Sequence, residues 1–161
     1  MEAIDFEVDA QDLIPAPADL VWSCLVDPTY MPRTKFGVVV AITVHGEPGM
    51  ADHTFFTEEV HRHGGFNFVL KTRVLKAETN AIWATLTETD AQILRTYCTL
   101  TANGDNATQV RMRSMIREVL PEKEAHRRAA YLADRAAHMQ EHADEDAAYF
   151  AAAVAAIAAE R

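Results

Sequence analysis

The chain has 161 residues, 49% of them apolar, and a formal net charge of -9. This size suits one domain over residues 1–161, burying roughly 70% of its unfolded surface without staples. The acidic balance speaks against nucleic acid and against an anionic membrane surface as partners.

Ile4, Phe6 and Val8 alternate with polar residues, the period of a half-buried strand. Ile14-Pro15-Ala16-Pro17 holds the backbone extended. Pro17 and Asp19 then favour a helix start, with Leu20, Val21, Cys24 and Leu25 as its apolar face and Trp22 beside it. Asp27-Pro28 ends that helix, and Tyr30-Met31-Pro32 predicts a short helical or irregular turn. Strands are predicted over Val38–Val44, His53–His61, Phe66–Lys76, Ile82–Glu88, Ile93–Thr101 and Val110–Val119, separated by Gly- and Asn-rich turns. In the last of these, Val110, Met112, Ser114 and Ile116 face one way and Arg111, Arg113 and Arg117 the other.

Pro121 opens a final helix with Glu122 and Glu124 in its first turn. Its apolar stripe runs Ala125, Ala129, Leu132, Ala136, Met139, Ala143, Ala147, Phe150, Val154 and Ile157. A straight helix from Glu122 to Glu160 would be roughly 58 Å long, too long for so small a domain. It is therefore expected to break, or to project one end toward a second subunit in a homodimer. Cys24 and Cys98 read as buried free thiols. The acidic MEAIDFEVDA stretch has neither the basic nor the apolar region of a signal peptide, and the alanine-rich Ala147–Ala159 is too short to span a bilayer. The expectation is a cytoplasmic protein without membrane insertion.

The element order, with the stretch IPAPADLVWSCLVDPTYMP, resembles the START-like (SRPBCC) superfamily of helix-grip proteins. That group includes polyketide aromatase/cyclases, the birch-pollen allergen family and Hsp90-activator-like domains. The resemblance implies an α+β helix-grip fold: a curved antiparallel sheet wrapped around a long C-terminal helix, with two short helices after the first strand. FNFVLKTRV is similar to the strand on which tetracenomycin-type aromatase/cyclases carry an inward arginine, which makes Arg73 the implied catalytic contact. The implied chemistry is aldol cyclisation and dehydration of a carrier-bound poly-β-ketone, with the arginine stabilising a developing enolate oxygen. Alternation along that strand places Phe68, Leu70 and Val74 inward, which turns Arg73 outward unless a bulge intervenes.

His53, Thr57, Glu59 and His61 share one strand face. If that face lines a cavity, Glu59 and His61 form an acid/base pair; if Phe56 and Val60 face inward instead, they are polar surface. Tyr30, Met31, Phe68, Trp83, Tyr97, Met112 and Met139 are candidate ligand contacts, aromatic and sulfur side chains being suited to an adaptable apolar site. The entrance is expected near Tyr30 and Met31. His138 and His142 match the H-x-x-E-H spacing of certain zinc proteases, with Asp146 extending the row. The strand-rich context is wrong for such an enzyme, so no metal and no cofactor are expected.

Three functions stay open: a polyketide cyclase/aromatase-like enzyme, a non-catalytic carrier or sensor of a hydrophobic ligand, and an Hsp90-activator-like protein-binding domain. Polar groups converging inside a cavity favour the first. A purely apolar lining favours the second, and a filled interior the third.

Overall fold

The computed structural model describes residues 2–35, 38–45, 56–63 and 66–161; the side chains of 38–42, 44, 56–63 and 66–68 lie outside that description. The elements in chain order are β1 (Ala3–Ile14), α1 (Ala18–Val26), α2 (Met31–Thr34), β2 (Val38–His45), β3 (Phe56–His63), β4 (Phe66–Glu78), β5 (Ile82–Glu88), β6 (Gln92–Ala102) and β7 (Thr108–Val119). A 3-10 turn (Glu122–Arg127) and α3 (Arg128–Ala159) follow. The strands form one antiparallel sheet in the order β1-β7-β6-β5-β4-β3-β2. The expected architecture is present, including the two short helices after the first strand.

Register divides the sheet into two faces, because paired residues project to the same side. Ile4, Phe6, Val8, Ala10 and Ile14 of β1 pair with Glu118, Ile116, Ser114, Met112 and Thr108 of β7. Across β6 the row continues through Leu94, Thr96 and Cys98 to Thr87, Thr85 and Trp83 of β5. It reaches Thr72 and Val74 on β4, and then Thr57 on β3. This is the inner face. The outer face of β1 and β7 carries Asp5, Glu7, Asp9, Arg111, Arg113 and Arg117, which form exposed ion pairs of little energetic weight.

The core occupies one end of the inner face. There α1 supplies Leu20, Val21, Cys24 and Val26, the sheet supplies Ile14, Val74, Trp83, Cys98, Leu100 and Val110, and α3 supplies Phe150, Ala151, Val154 and Ile157. Trp22 meets Trp83 edge to face, with ring centroids 5.9 Å apart. Cys24 and Cys98 are buried free thiols, as expected.

The final helix does break. Arg127, at φ -127° and ψ 35°, separates the 3-10 turn from α3. The remaining 32 residues still span about 48 Å. The helix is buried only along its second half, through Ala147, Phe150, Ala151, Val154 and Ile157. Leu132 and Met139, expected to face the sheet with Phe150 and Val154, are half-buried. This first half is tied down by polar contacts: Arg128 to Glu2 and the Ala3 carbonyl, and Gln140 to the backbone of Asp9 on the open edge of β1. Among the described residues, no helix is long and apolar enough to cross a membrane.

Candidate functional site

The inner face changes character away from the core. Phe6, Leu70, Thr72, Thr87, Leu94, Thr96, Met112 and Ser114 all project inward by register, and all are half-buried rather than sealed. α3 runs nearest to β1, while these inner-face positions of β6, β5 and β4 stay half-buried. On α3, Leu132, Ala136, Met139 and Ala143 continue the stripe of the buried Ala147, Phe150 and Val154 and are half-buried as well.

Two hydroxyl pairs stand on this surface. Thr72 and Thr87 lie 2.9 Å apart across β4 and β5, and Thr96 and Ser114 lie 2.8 Å apart across β6 and β7. Each pair spends one hydrogen on its neighbour and retains lone pairs and one further donor. A hydrophobic surface set with such groups can hold an apolar molecule and orient its oxygens.

A charged cluster closes the far end. Glu118, 6% exposed, is the next inward position after Ile116 on β7. It accepts bonds from Arg135 Nε at 2.7 Å and Nη2 at 3.0 Å, from Gln92 Nε2 at 2.6 Å and from the Tyr131 hydroxyl at 3.3 Å. Burial works to raise the Glu118 pKa, but the bonds from Arg135 and Gln92 and the Arg135 charge outweigh it, leaving it below the ordinary value. Tyr131 is pushed up, first by burial and then by the neighbouring Glu118 charge. The bidentate pair fixes the guanidinium plane. Among the described residues, nothing accepts from Arg135 Nη1.

The expected site residues divide. Arg73 pairs with Leu86 on β5 and Phe56 on β3, while its neighbour Val74 is buried in the core. Arg73 therefore stands on the outer face. The bulge that could have turned it inward exists, but it lies between Val74 and Lys76, one step too late. Tyr97 is also outward and 42% exposed, opposite Arg113. Trp83 is inward but is consumed by core packing against Trp22, and Met31 is buried in α2. Tyr30 is partly buried against the same core.

Met112 and Met139 belong to the half-buried surfaces. Glu59 pairs with Leu70, and His61 with Phe68, so all of these hold inner-face register positions. The side chains of Glu59, His61 and Phe68 lie outside the described residues, and His53 lies outside them altogether.

Sequence patterning did not single out Arg135, Glu118, Gln92 or the hydroxyl pairs. Glu118 carried a signal, being in phase with Ser114 and Ile116. Arg135 resembled any solvated helical arginine. An open groove lies mainly on the outer face, lined by Asp5, Glu7, Ile93, Arg95, Met115 and Arg117 and also by Phe6 and Ile116, which hold inner-face register positions. Among the described residues, no three His, Cys, Asp or Glu side chains gather as a metal-binding cluster.

No protein-family model matches the chain, and no curated protein matches it in sequence. Solved structures match it closely in shape. The ZhuI aromatase/cyclase from Streptomyces sp. R1128 aligns over 98% of this chain and 96% of its own, with a TM-score of 0.71 at 12% identity. A START superfamily protein from Mycobacterium smegmatis covers 96% and 97%, with a TM-score of 0.68 at 14% identity. Norcoclaurine synthase from Thalictrum flavum, in complex with dopamine and hydroxybenzaldehyde, covers 99% and 89%, with a TM-score of 0.67 at 12% identity. At these identities the likeness establishes the fold, which is the START-like helix-grip fold.

Proposed function

We propose that this START-like chain binds a hydrophobic, oxygenated small molecule between the first half of α3 and the inner face of the sheet, and acts on it as a polyketide cyclase/aromatase-like enzyme. One observation carries the reading. The half-buried part of the inner face is apolar but contains two hydroxyl pairs and ends at an arginine held in place by a buried carboxylate. A carrier of a plain hydrocarbon has no use for such groups, and a filled interior would not leave them half-buried. The aromatase/cyclase neighbour and the synthase neighbour, in complex with two oxygenated aromatics, agree with this choice.

In this reading Arg135 takes the part that the sequence resemblance gave to Arg73. Its Nη1 hydrogens stabilise an enolate oxygen on a poly-β-ketone, free or carrier-bound, while Glu118 keeps the guanidinium oriented. Glu59 and His61 stand at inner-face register positions and serve as the acid/base pair that moves protons in the aldol and dehydration steps. A carrier without turnover is the second reading, and the outward position of Arg73 favours it.

Native mass spectrometry of untagged protein, followed by a ligand-soaked crystal structure, tests the proposal. A bound oxygenated hydrophobic molecule touching Thr72, Thr96 or Arg135 supports binding. Turnover of a poly-β-ketone that falls at least a hundredfold in Arg135→Met supports catalysis; binding without turnover leaves the carrier.

A further inference from the structure

We propose that His138 and His142 of α3 form a two-imidazole chelate for a borderline divalent transition ion, at the rim of the open inner surface. The two residues are one helical turn apart, and their Nε2 atoms converge to 3.1 Å with the rings almost perpendicular at 89°. Two imidazole nitrogens bound to one ion at 2.0–2.1 Å, about 100° apart, stand roughly 3.1 Å from each other. The Nε2 separation therefore matches that of a chelated pair before any ion arrives. Helical His pairs with this spacing supply two ligands in zinc enzymes.

The position on the helix adds to this. Tyr131, Arg135, His138 and His142 follow steps of three and four residues and share one flank of α3. Tyr131 and Arg135 reach Glu118 on the inner face, whereas Gln140, on the other flank, reaches the edge of β1. The His pair is thus on the side of the helix that borders the open inner surface. His138 is exposed and His142 half-buried, so water and ions have access.

Without metal, one Nε2 must carry the hydrogen donated to the other. On binding, that proton moves to Nδ1 of the same ring, and both Nε2 lone pairs face the ion. No third protein ligand completes the set among the described residues, so the remaining coordination positions are left for water or for an oxygen of an exogenous ligand. Imidazole donors select copper, nickel and zinc over magnesium and calcium, with Cu2+ the tightest. The chelate does not depend on the proposed enzymatic activity.

The test is a competition titration of untagged protein with Cu2+ and with Zn2+, with electron paramagnetic resonance of the copper form. The wild type should take up one equivalent of Cu2+ with two equatorial imidazole nitrogens in its spectrum. His138→Gln and His142→Gln should each weaken binding of both ions at least tenfold and reduce the spectrum to one imidazole or none. Their metal-free melting temperatures should match the wild type, and His126→Gln should bind as the wild type does. Affinities in the two variants within threefold of the wild type, or a wild-type spectrum without two imidazoles, would overturn the proposal.

Discussion

The side-chain amide of Gln140 bonds both backbone groups of Asp9: Asp9 N donates to Oε1 at 3.1 Å, and Nε2 donates to the Asp9 carbonyl at 2.7 Å. One α3 side chain thereby stands in for a neighbouring strand at the edge of the sheet, where unpaired backbone groups would otherwise invite association. Gln140→Ala should cost roughly 1 kcal/mol, since both bonds are solvent-accessible. Hydrogen exchange at the Asp9 amide should accelerate at least tenfold, while exchange in β6 stays unchanged.

The buried second half of α3 carries its packing energy. Phe150, 6% exposed and part of the core cluster that α1 and the sheet share, should cost about 3–5 kcal/mol on substitution by alanine. Leu132, half-buried over the open surface, should cost less than about 2 kcal/mol. Urea denaturation of the two variants measures the contrast.

Glu118 should give the fold an acid limb. Its folded-state pKa lies below the ordinary value of 4.5, so the native state favours the ionised form. The associated stability is fully present above about pH 4.5 and is lost as pH falls through the lower folded-state value. Glu118→Gln should flatten that part of the melting temperature profile on the acid side of the ordinary carboxylate range. Arg135→Ala leaves a buried carboxylate without its cation, and should cost on the order of 2–3 kcal/mol at pH 7, below the fully buried range because the guanidinium is partly exposed.

Both thiols should be silent in the native state. Burial pushes Cys24 up to about 11 and Cys98 up to about 12, so almost no thiolate forms at neutral pH. Ellman's reagent at pH 8 should label neither cysteine within minutes in native buffer, and both in guanidinium chloride.

The fold was legible because its signals are local and periodic. The alternation of Val110, Met112, Ser114 and Ile116 against Arg111, Arg113 and Arg117 fixes a face of β7, and Pro17, Asp27-Pro28 and Pro121 mark where helices begin and end. The site was less legible because it depends on phase between strands and on the lie of a helix. Alternation alone put Arg73 outward, and the structure agrees; the family resemblance argued otherwise. Trp83 looked like a pocket aromatic, but whether an inward tryptophan lines a cavity or fills a core depends on what covers it, here α1 and Trp22. Arg135 became visible only through Glu118, which lies 17 residues away in sequence and across the interface between sheet and helix.

The proposed function places the ligand on the inner face, not the outer face. It is tested most directly by titrating a hydroxylated anthraquinone against wild type, Ser114→Phe and Arg73→Ala, following quenching of Trp22 and Trp83 fluorescence. Ser114 sits on the open inner surface and Arg73 on the opposite side. Saturable binding to wild type is expected, with a loss of at least tenfold in Ser114→Phe while that variant remains folded, and unchanged affinity in Arg73→Ala. Binding that survives Ser114→Phe and is lost in Arg73→Ala would contradict this placement.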